Sequence, residues 1–237
     1  MKLLILIVVL LFPIKYLFSE EKKEFKVATF KIPLMIEDKE NGRFIELIKK
    51  IEDIQNIKMN INVYPTKRTL QKFIYNEVAC FFPFVDGMNL PITYIKSDVF
   101  YIKKDYILYR SNEGNPRFKD LIGKTVGLTA GYPYPDKLIS NKNINFEYAV
   151  SEEKNISKLV LKRIDYFVVE YLSGVKAIKN SGLKEKVSVS KQVVGSENVY
   201  FACNNSVENN KIIKKFNEAL ILLKRNGYLE KLFPENY

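Results

Sequence analysis

Histidine and tryptophan are absent from all 237 residues, and cysteine occurs only twice. Without histidine there is no Ser-His-Asp or Cys-His arrangement and no imidazole ligand for zinc, so most hydrolase mechanisms and any His-ligated metal site are excluded. The two cysteines, Cys80 and Cys203, each sit in an apolar strand-like run, VACFFPF and VYFACN. An even count permits a disulfide if the chain is exported, and a small buried thiol fits such runs equally well. Glycine and proline are sparse, with 10 and 9 residues, and form no low-complexity linker; there is also no internal repeat. Acids are short as well, 27 against 38 lysines and arginines, which leaves a formal charge of +11. The lysines are scattered through every helical segment rather than clustered. They read as solvated helix faces, and no nucleic-acid partner is expected.

One uninterrupted apolar run stands out, LLILIVVLLF from Leu3 to Phe12, directly after Lys2. Its length suits the core of a secretory signal and is too short to span a bilayer comfortably. Pro13, Lys15 and the polar start at Ser19-Glu20 close it, which predicts a signal peptide over residues 1–19 cleaved near Ser19. The alternative is an uncleaved anchor, because Leu17 is large for its place before the cut and Lys15 comes late. No cysteine lies at the exit of the run, so a lipoprotein is not expected. The expected product is a soluble periplasmic or secreted protein, long enough for one two-lobed domain or two small ones.

From Phe25 onward the apolar periodicity switches repeatedly between two and 3.6. KVATFKI reads as a strand; Phe44, Leu47, Ile48 and Ile51 repeat as the stripe of an amphipathic helix. MNINVYP is a second strand, Pro65-Thr66 opens a helix through Leu70, Phe73 and Ile74, and EVACFFPF is a third strand. Such alternation predicts a mostly parallel sheet covered on both faces. A long β-prone run, DVFYIKKDYILYR (98–110), precedes a second α/β unit beginning near Phe118. There TVGL is a strand, a helix is expected from Tyr132, NFEYAV is a strand, and Ile156, Leu159 and Val160 mark a helix. DYFVVE, a helix from Tyr171 to Asn180, and VSVSKQVV follow. A second β-prone run, NVYFACN (198–204), leads into a final helix with the stripe Ile212, Ile213, Phe216, Ala219, Leu220 and Leu223, ending at Asn226-Gly227.

The stretch LIGKTVGLTAGYPYPD, residues 121–136, carries the most chemistry. A strand that breaks at Ala130-Gly131 into a helix places unpaired backbone N–H groups where an anionic or carbonyl group of a ligand could be held. An ordinary strand-turn-helix connection is the commoner meaning of such a turn. Together with RIDYFVVE (163–170), however, GKTVGLTAGYPYP resembles the second lobe of the bacterial extracellular solute-binding proteins of family 3, the class II periplasmic binding proteins that feed ABC transporters. Arg163, Asp165 and Glu170 fall at the matching places of the second motif. The resemblance implies an α/β protein with the two-lobed class II periplasmic-binding-protein fold. Residues 20–104 would form the first part of lobe one, 105–199 lobe two, and 200–237 the return to lobe one, with two hinge strands between them. It further implies a monomer that closes around a small polar, amino-acid-like molecule and delivers it to an ABC permease, without cofactor, metal or catalysis.

Ligands in such an architecture lie at the carboxyl ends of the strands, in the crevice between lobes. The candidate ligand-binding residues are therefore Phe30, Arg68, Phe82 and Phe84 from lobe one, and Thr129, Gly131, Tyr132, Tyr134, Glu170 and Tyr171 from lobe two. Each has a plainer reading. Phe30, Phe81, Phe82 and Phe84 suit a core, with one or two of the four expected to face the cleft; Arg68 suits a surface ion pair; Asp165 suits a turn-orienting hydrogen bond. Glu170 is the strongest candidate, because an acid ending an apolar strand is costly to bury unless a cationic or hydrogen-bonding group meets it. The chain also departs from the family pattern. Amino-acid-binding members carry an arginine after the third strand of lobe one for the ligand carboxylate, and FFPFVDGMNLPITY has none. Either Arg68 or the turn at Gly131 substitutes, or the ligand lacks an α-carboxylate. A dehydratase-like periplasmic enzyme and a ligand-sensing module on the same fold are the alternative functions.

Overall fold

The computed structural model describes residues 24–236. The signal-peptide expectation for residues 1–19 lies outside the described residues. The chain begins with β1 (Glu24–Thr29), α1 (Arg43–Gln55), β2 (Lys58–Val63), α2 (Thr66–Ile74) and β3 (Cys80–Val85). Both β2 and β3 pair with β1 in parallel, as the strand-helix alternation requires. The stripe of α1 is buried at Phe44, Ile45, Leu47, Ile48 and Ile51, and the helix stops where Asn56 turns left-handed at φ 49°.

After the short β4 (Tyr94–Lys96), β5 (Tyr101–Arg110) enters the second lobe. That lobe holds β6 (Thr125–Thr129), α3 (Asp136–Ile139), β7 (Asn145–Ala149), α4 (Glu152–Val160), β8 (Tyr166–Glu170) and α5 (Tyr171–Ser181). The chain returns along β9 (Val187–Asn204) to α6 (Val207–Arg225) and α7 (Tyr228–Leu232). One 9-stranded sheet runs through both lobes in the order β2-β1-β3-β9-β5-β8-β6-β7, with β4 on β9. The two lobes therefore join through β9, which is antiparallel to β3 on one side and to β5 on the other.

The first lobe has one large core. Phe201 stacks on Phe216 with centroids 4.7 Å apart, Phe73 meets Phe81 at 4.7 Å, and Phe44 makes edge contacts with Phe100, Tyr101 and Phe233. The predicted α6 stripe, Ile212 through Leu223, belongs to this core, so the last long helix does pack on the first lobe. Cys80 faces Cys203 across β3 and β9, and a disulfide joins them. In the second lobe β8 is covered on both faces. Val168 belongs to one cluster with Leu128 and Leu138, while Phe167 and Val169 belong to another with Ile156 and Leu159. Alternate side chains of a strand point to opposite faces, and this explains why YFVVE reads as continuous rather than alternating.

Two local expectations are corrected. The helix expected from Tyr132 starts only at Asp136 and lasts a single turn. Tyr132 precedes Pro133 and Tyr134 precedes Pro135, and the proline ring pushes the preceding residue out of the helical region. VSVSKQVV and NVYFACN are parts of one strand of 18 residues rather than two runs. Its middle looks too polar for a strand because it passes from one lobe to the other, paired with β5 from Tyr101↔Val199 to Arg110↔Val187 with register shifts near Tyr106. Asp165 Oδ2 accepts from the Thr125 N–H at 2.8 Å, which ties the residue before β8 to the start of β6.

Candidate functional site

The carboxyl ends of β1, β3, β6 and β8 converge on the crevice beside the β5–β9 crossing. A cavity of ≈ 500 Å³, including its open mouth, lies there. Lobe one contributes Phe30, Ile32, Met35, Phe44, Pro83 and Val85; the crossing strands contribute Tyr101, Lys103 and Val199; lobe two contributes Tyr132, Pro133, Glu170 and Ser173.

Of the ten residues singled out from sequence, Phe30, Tyr132 and Glu170 line this cavity. Phe82 and Phe84 do not. They are fully buried in the first lobe, Phe82 stacked on Phe201 and Phe84 tilted against Tyr94, because β3 is covered on both faces and every one of its residues is interior. Arg68 is exposed on α2, its guanidinium 5.3 Å from the Tyr64 ring centroid, and is not part of the cavity wall. Thr129 ends β6 and Gly131 lies in the turn after it; neither forms the cavity wall, and Gly131 takes a left-handed φ of 83°. Tyr134 is buried in the second lobe, its hydroxyl accepting from the Thr129 N–H at 2.8 Å. Tyr171 is 39% exposed and packs on Tyr106 with centroids 5.3 Å apart, outside the cavity.

Glu170 has more structural employment than its place at a strand end suggested. Its Oε1 accepts from the Leu172 N–H at 3.0 Å and its Oε2 from the Ser173 N–H at 2.8 Å, which caps α5. The Tyr101 hydroxyl, on the crossing strand, donates to Oε1 at 3.2 Å. Burial and the adjacent Glu170 charge push the Tyr101 phenol well above its ordinary value, so it remains a donor. Burial, then the nearby Glu152 charge, does the same for Tyr132. Burial also raises the Glu152 carboxyl above the usual range.

Beside these groups lies a buried ion cluster that the sequence did not disclose as a site. Lys103 Nζ donates to both oxygens of Asp105, at 2.8 and 2.6 Å, to Glu197 Oε2 at 3.3 Å, and to the Pro133 carbonyl at 3.0 Å. Desolvation, opposed by Lys103, lifts the Asp105 carboxyl to about 6. The signal was present: Tyr101, Lys103 and Asp105 alternate within an apolar strand and therefore share one face. Further contacts tie the lobes to each other. Lys176 on α5 pairs with Glu37 of the first lobe, Leu172 packs against the first-lobe core, and a Cβ on Gly195 would collide with the Pro135 ring.

Six buried side-chain polar atoms make no hydrogen bond among the described residues: Thr129 Oγ1, Glu152 Oε1, Asn155 Oδ1 and Ser173 Oγ in the second lobe, and Asn204 Oδ1 and Asn236 Nδ2 outside it; of these residues only Ser173 lines the cavity. Such atoms are costly unless something outside the protein meets them.

No protein-family profile matches the chain. A probable amino-acid-binding protein, YxeM of Bacillus subtilis (strain 168), is 28% identical over 135 residues, which are 56% of this chain and 50% of that protein. The match thus spans about half the length of that curated relative. Among solved structures, the GluR0 ligand-binding core from Nostoc punctiforme in complex with L-glutamate aligns with TM-score 0.72 and 22% identity, over 90% of this chain and 99% of that one. A substrate-binding protein of an ABC uptake transporter from Streptococcus pneumoniae, with bound histidine, aligns with TM-score 0.71 and 16% identity over 90% and 92%. A histidine kinase sensor domain with similarity to periplasmic binding proteins aligns with TM-score 0.72 and 14% identity over 92% and 97%. The fold is that of the two-lobed periplasmic binding proteins.

Proposed function

We propose that this chain is an extracytoplasmic solute-binding protein whose lobes close around a small, amino-acid-like molecule and present it to an ABC permease. One observation carries the reading: a single cavity at the strand carboxyl ends is walled by residues of both lobes and by the strands that cross between them. The kinship with a probable amino-acid-binding protein and the likeness to an ABC uptake component support it. Binding alone accounts for the groups present, and no chemical step is ascribed to them. Among the described residues no helix is long and apolar enough to cross a membrane. The proposed form is exported through the apolar run Leu3 to Phe12, is not a lipoprotein, and acts in the periplasm as a monomer.

The likeness to a histidine kinase sensor domain favours a second reading, in which the same closure is reported to a signalling partner instead. Both readings share the binding step. A thermal-shift screen against a small-molecule library, followed by calorimetry, should find a ligand bound one to one and unaltered afterwards. Turnover of the ligand, or no stabilisation by any compound, contradicts the proposal. Cross-linking in membranes then separates the two readings: capture of permease subunits fits transport, and capture of a kinase fits sensing.

A further inference from the structure

Helix α5 belongs to the second lobe, yet its sides do not all face that lobe. Gly174, Ala177 and Ile178 are buried, the last two in a second-lobe cluster with Phe167 and Val169, while Tyr171, Val175 and Lys179 are exposed. Leu172, Ser173 and Lys176 share the remaining side, since residues three and four apart lie over one another on a helix. Leu172 packs against the first-lobe core, Ser173 lines the cavity, and Lys176 pairs with Glu37 of the first lobe. One helix is thus docked on both lobes at once.

The partner of Lys176 is held firmly by the first lobe. Ile32 and Ile36 exchange backbone hydrogen bonds at 3.0 and 2.8 Å, and the Phe44 N–H donates to the Met35 carbonyl at 2.9 Å, which fixes this segment against the start of α1. Gly42 sits at φ 124°, where a Cβ would collide with the Met35 carbonyl. On the same segment Glu37 Oε1 accepts from the Leu34 N–H at 2.7 Å as well as from Lys176 Nζ, so its carboxylate is aimed by the first lobe's own backbone. Leu172, Lys176 and Glu37 do not line the cavity, and the contacts they make therefore do not pass through a ligand. An ion pair with side chains 28% and 43% exposed shifts an equilibrium by no more than about fivefold, whereas withdrawing a leucine from water is worth about tenfold. Leu172 supplies most of the attraction, and Lys176 with Glu37 fixes where it seats.

We infer that Leu172 and the Lys176–Glu37 pair form a latch between α5 and the first lobe, which favours the closed crevice whether or not a ligand occupies it. The factors involved are small enough for the lobes to part and admit a ligand. A ligand then meets lobes that are already together much of the time, and its apparent affinity rises with the closed fraction. The latch requires nothing of the cavity's occupant, so it goes beyond the solute-binding reading.

Small-angle scattering of the mature chain without ligand tests this, because parting of the lobes raises the radius of gyration. The wild type should scatter as the arrangement in which α5 touches both lobes. Leu172→Ser should shift the balance toward the open form by about tenfold, Glu37→Lys or Lys176→Glu by a smaller factor of about fivefold, and Leu172→Ser with Lys176→Glu should open most molecules. The charge exchange Glu37→Lys with Lys176→Glu should bring the radius back toward the wild-type value, which a loss of local structure would not do. Circular dichroism melts establish that each variant is folded; if Leu172→Ser is not, the charge exchange decides alone. A wild type that is open without ligand, or variants whose scattering coincides with the wild type, overturns the latch and leaves the solute-binding reading intact. If the scattering behaves as expected and the thermal-shift screen yields no ligand, the latch stands and the solute-binding reading falls.

Discussion

The two lobes share an alternation of strand and helix yet bring different chemistry to the cavity. The first lobe offers a wall of aromatic and aliphatic carbon continuous with its core, reinforced by the Cys80–Cys203 disulfide and by α6. The second divides its apolar residues between the two faces of its sheet and brings the polar side chains of Glu170 and Ser173 to the cavity wall. The first lobe's share of the wall is thus part of its core, whereas the second lobe's share includes side chains that can hydrogen-bond.

The sharpest way to break this comparison is to cut into the first core. Phe216, fully buried between Phe201 and Phe100, should cost about 3–5 kcal/mol when replaced by alanine, measured by chemical denaturation. Losses of that size from polar substitutions at the second-lobe crevice would reverse the assignment. A smaller effect separates Glu170, which caps α5, from Ser173 in the first turn of that helix. Glu170→Ala removes the helix cap and the Tyr101 bond, so it should cost about 1–2 kcal/mol in addition to affinity. Ser173→Ala deletes an oxygen that bonds to nothing and should leave the melting temperature level or raise it.

The crossing strands give a pH-dependent effect. Asp105 has a folded pKa lifted from 3.8 to about 6, mainly by desolvation, so the folded state binds its proton more tightly than the unfolded state does. Its contribution is fully present below pH 3.8 and is lost as pH rises through about 6. Thermal melts of wild type and Asp105→Asn across that window should differ in slope, the wild type losing more stability on going up. Identical slopes would mean that Lys103 compensates the carboxylate completely. Smallest of all, Arg68→Ala should change stability by less than about 0.5 kcal/mol and leave ligand affinity unaltered, since the guanidinium is exposed over Tyr64.

Much of the fold was legible because burial writes itself into periodicity. The stripes of α1 and α6 and the continuous run Tyr166–Glu170 each reported how many faces of their element are covered. The site was less legible. Phe82 and Phe84 have the composition of a ligand platform but occupy a strand with no exposed face. Glu170 was visible as an acid in an apolar place, yet its work as a helix cap depends on backbone N–H groups that sequence does not name. Lys103 and Asp105 lay in a segment read only as a hinge, and Ser173 gave no sign, because a place in the cavity wall follows from the packing of the two lobes. The helix expected at Tyr132 failed on two prolines whose effect on the preceding residues was readable from YPYP.

The claim on which the rest depends is that both lobes bind one molecule between them. Amide hydrogen exchange with the tightest ligand from the library measures this directly. The account predicts slowed exchange in the first-lobe wall, around Phe30 to Met35 and Pro83 to Val85, and simultaneously in Thr129 to Pro133 and Leu172 to Ser173 of the second lobe. Protection confined to one lobe at saturating ligand would contradict it.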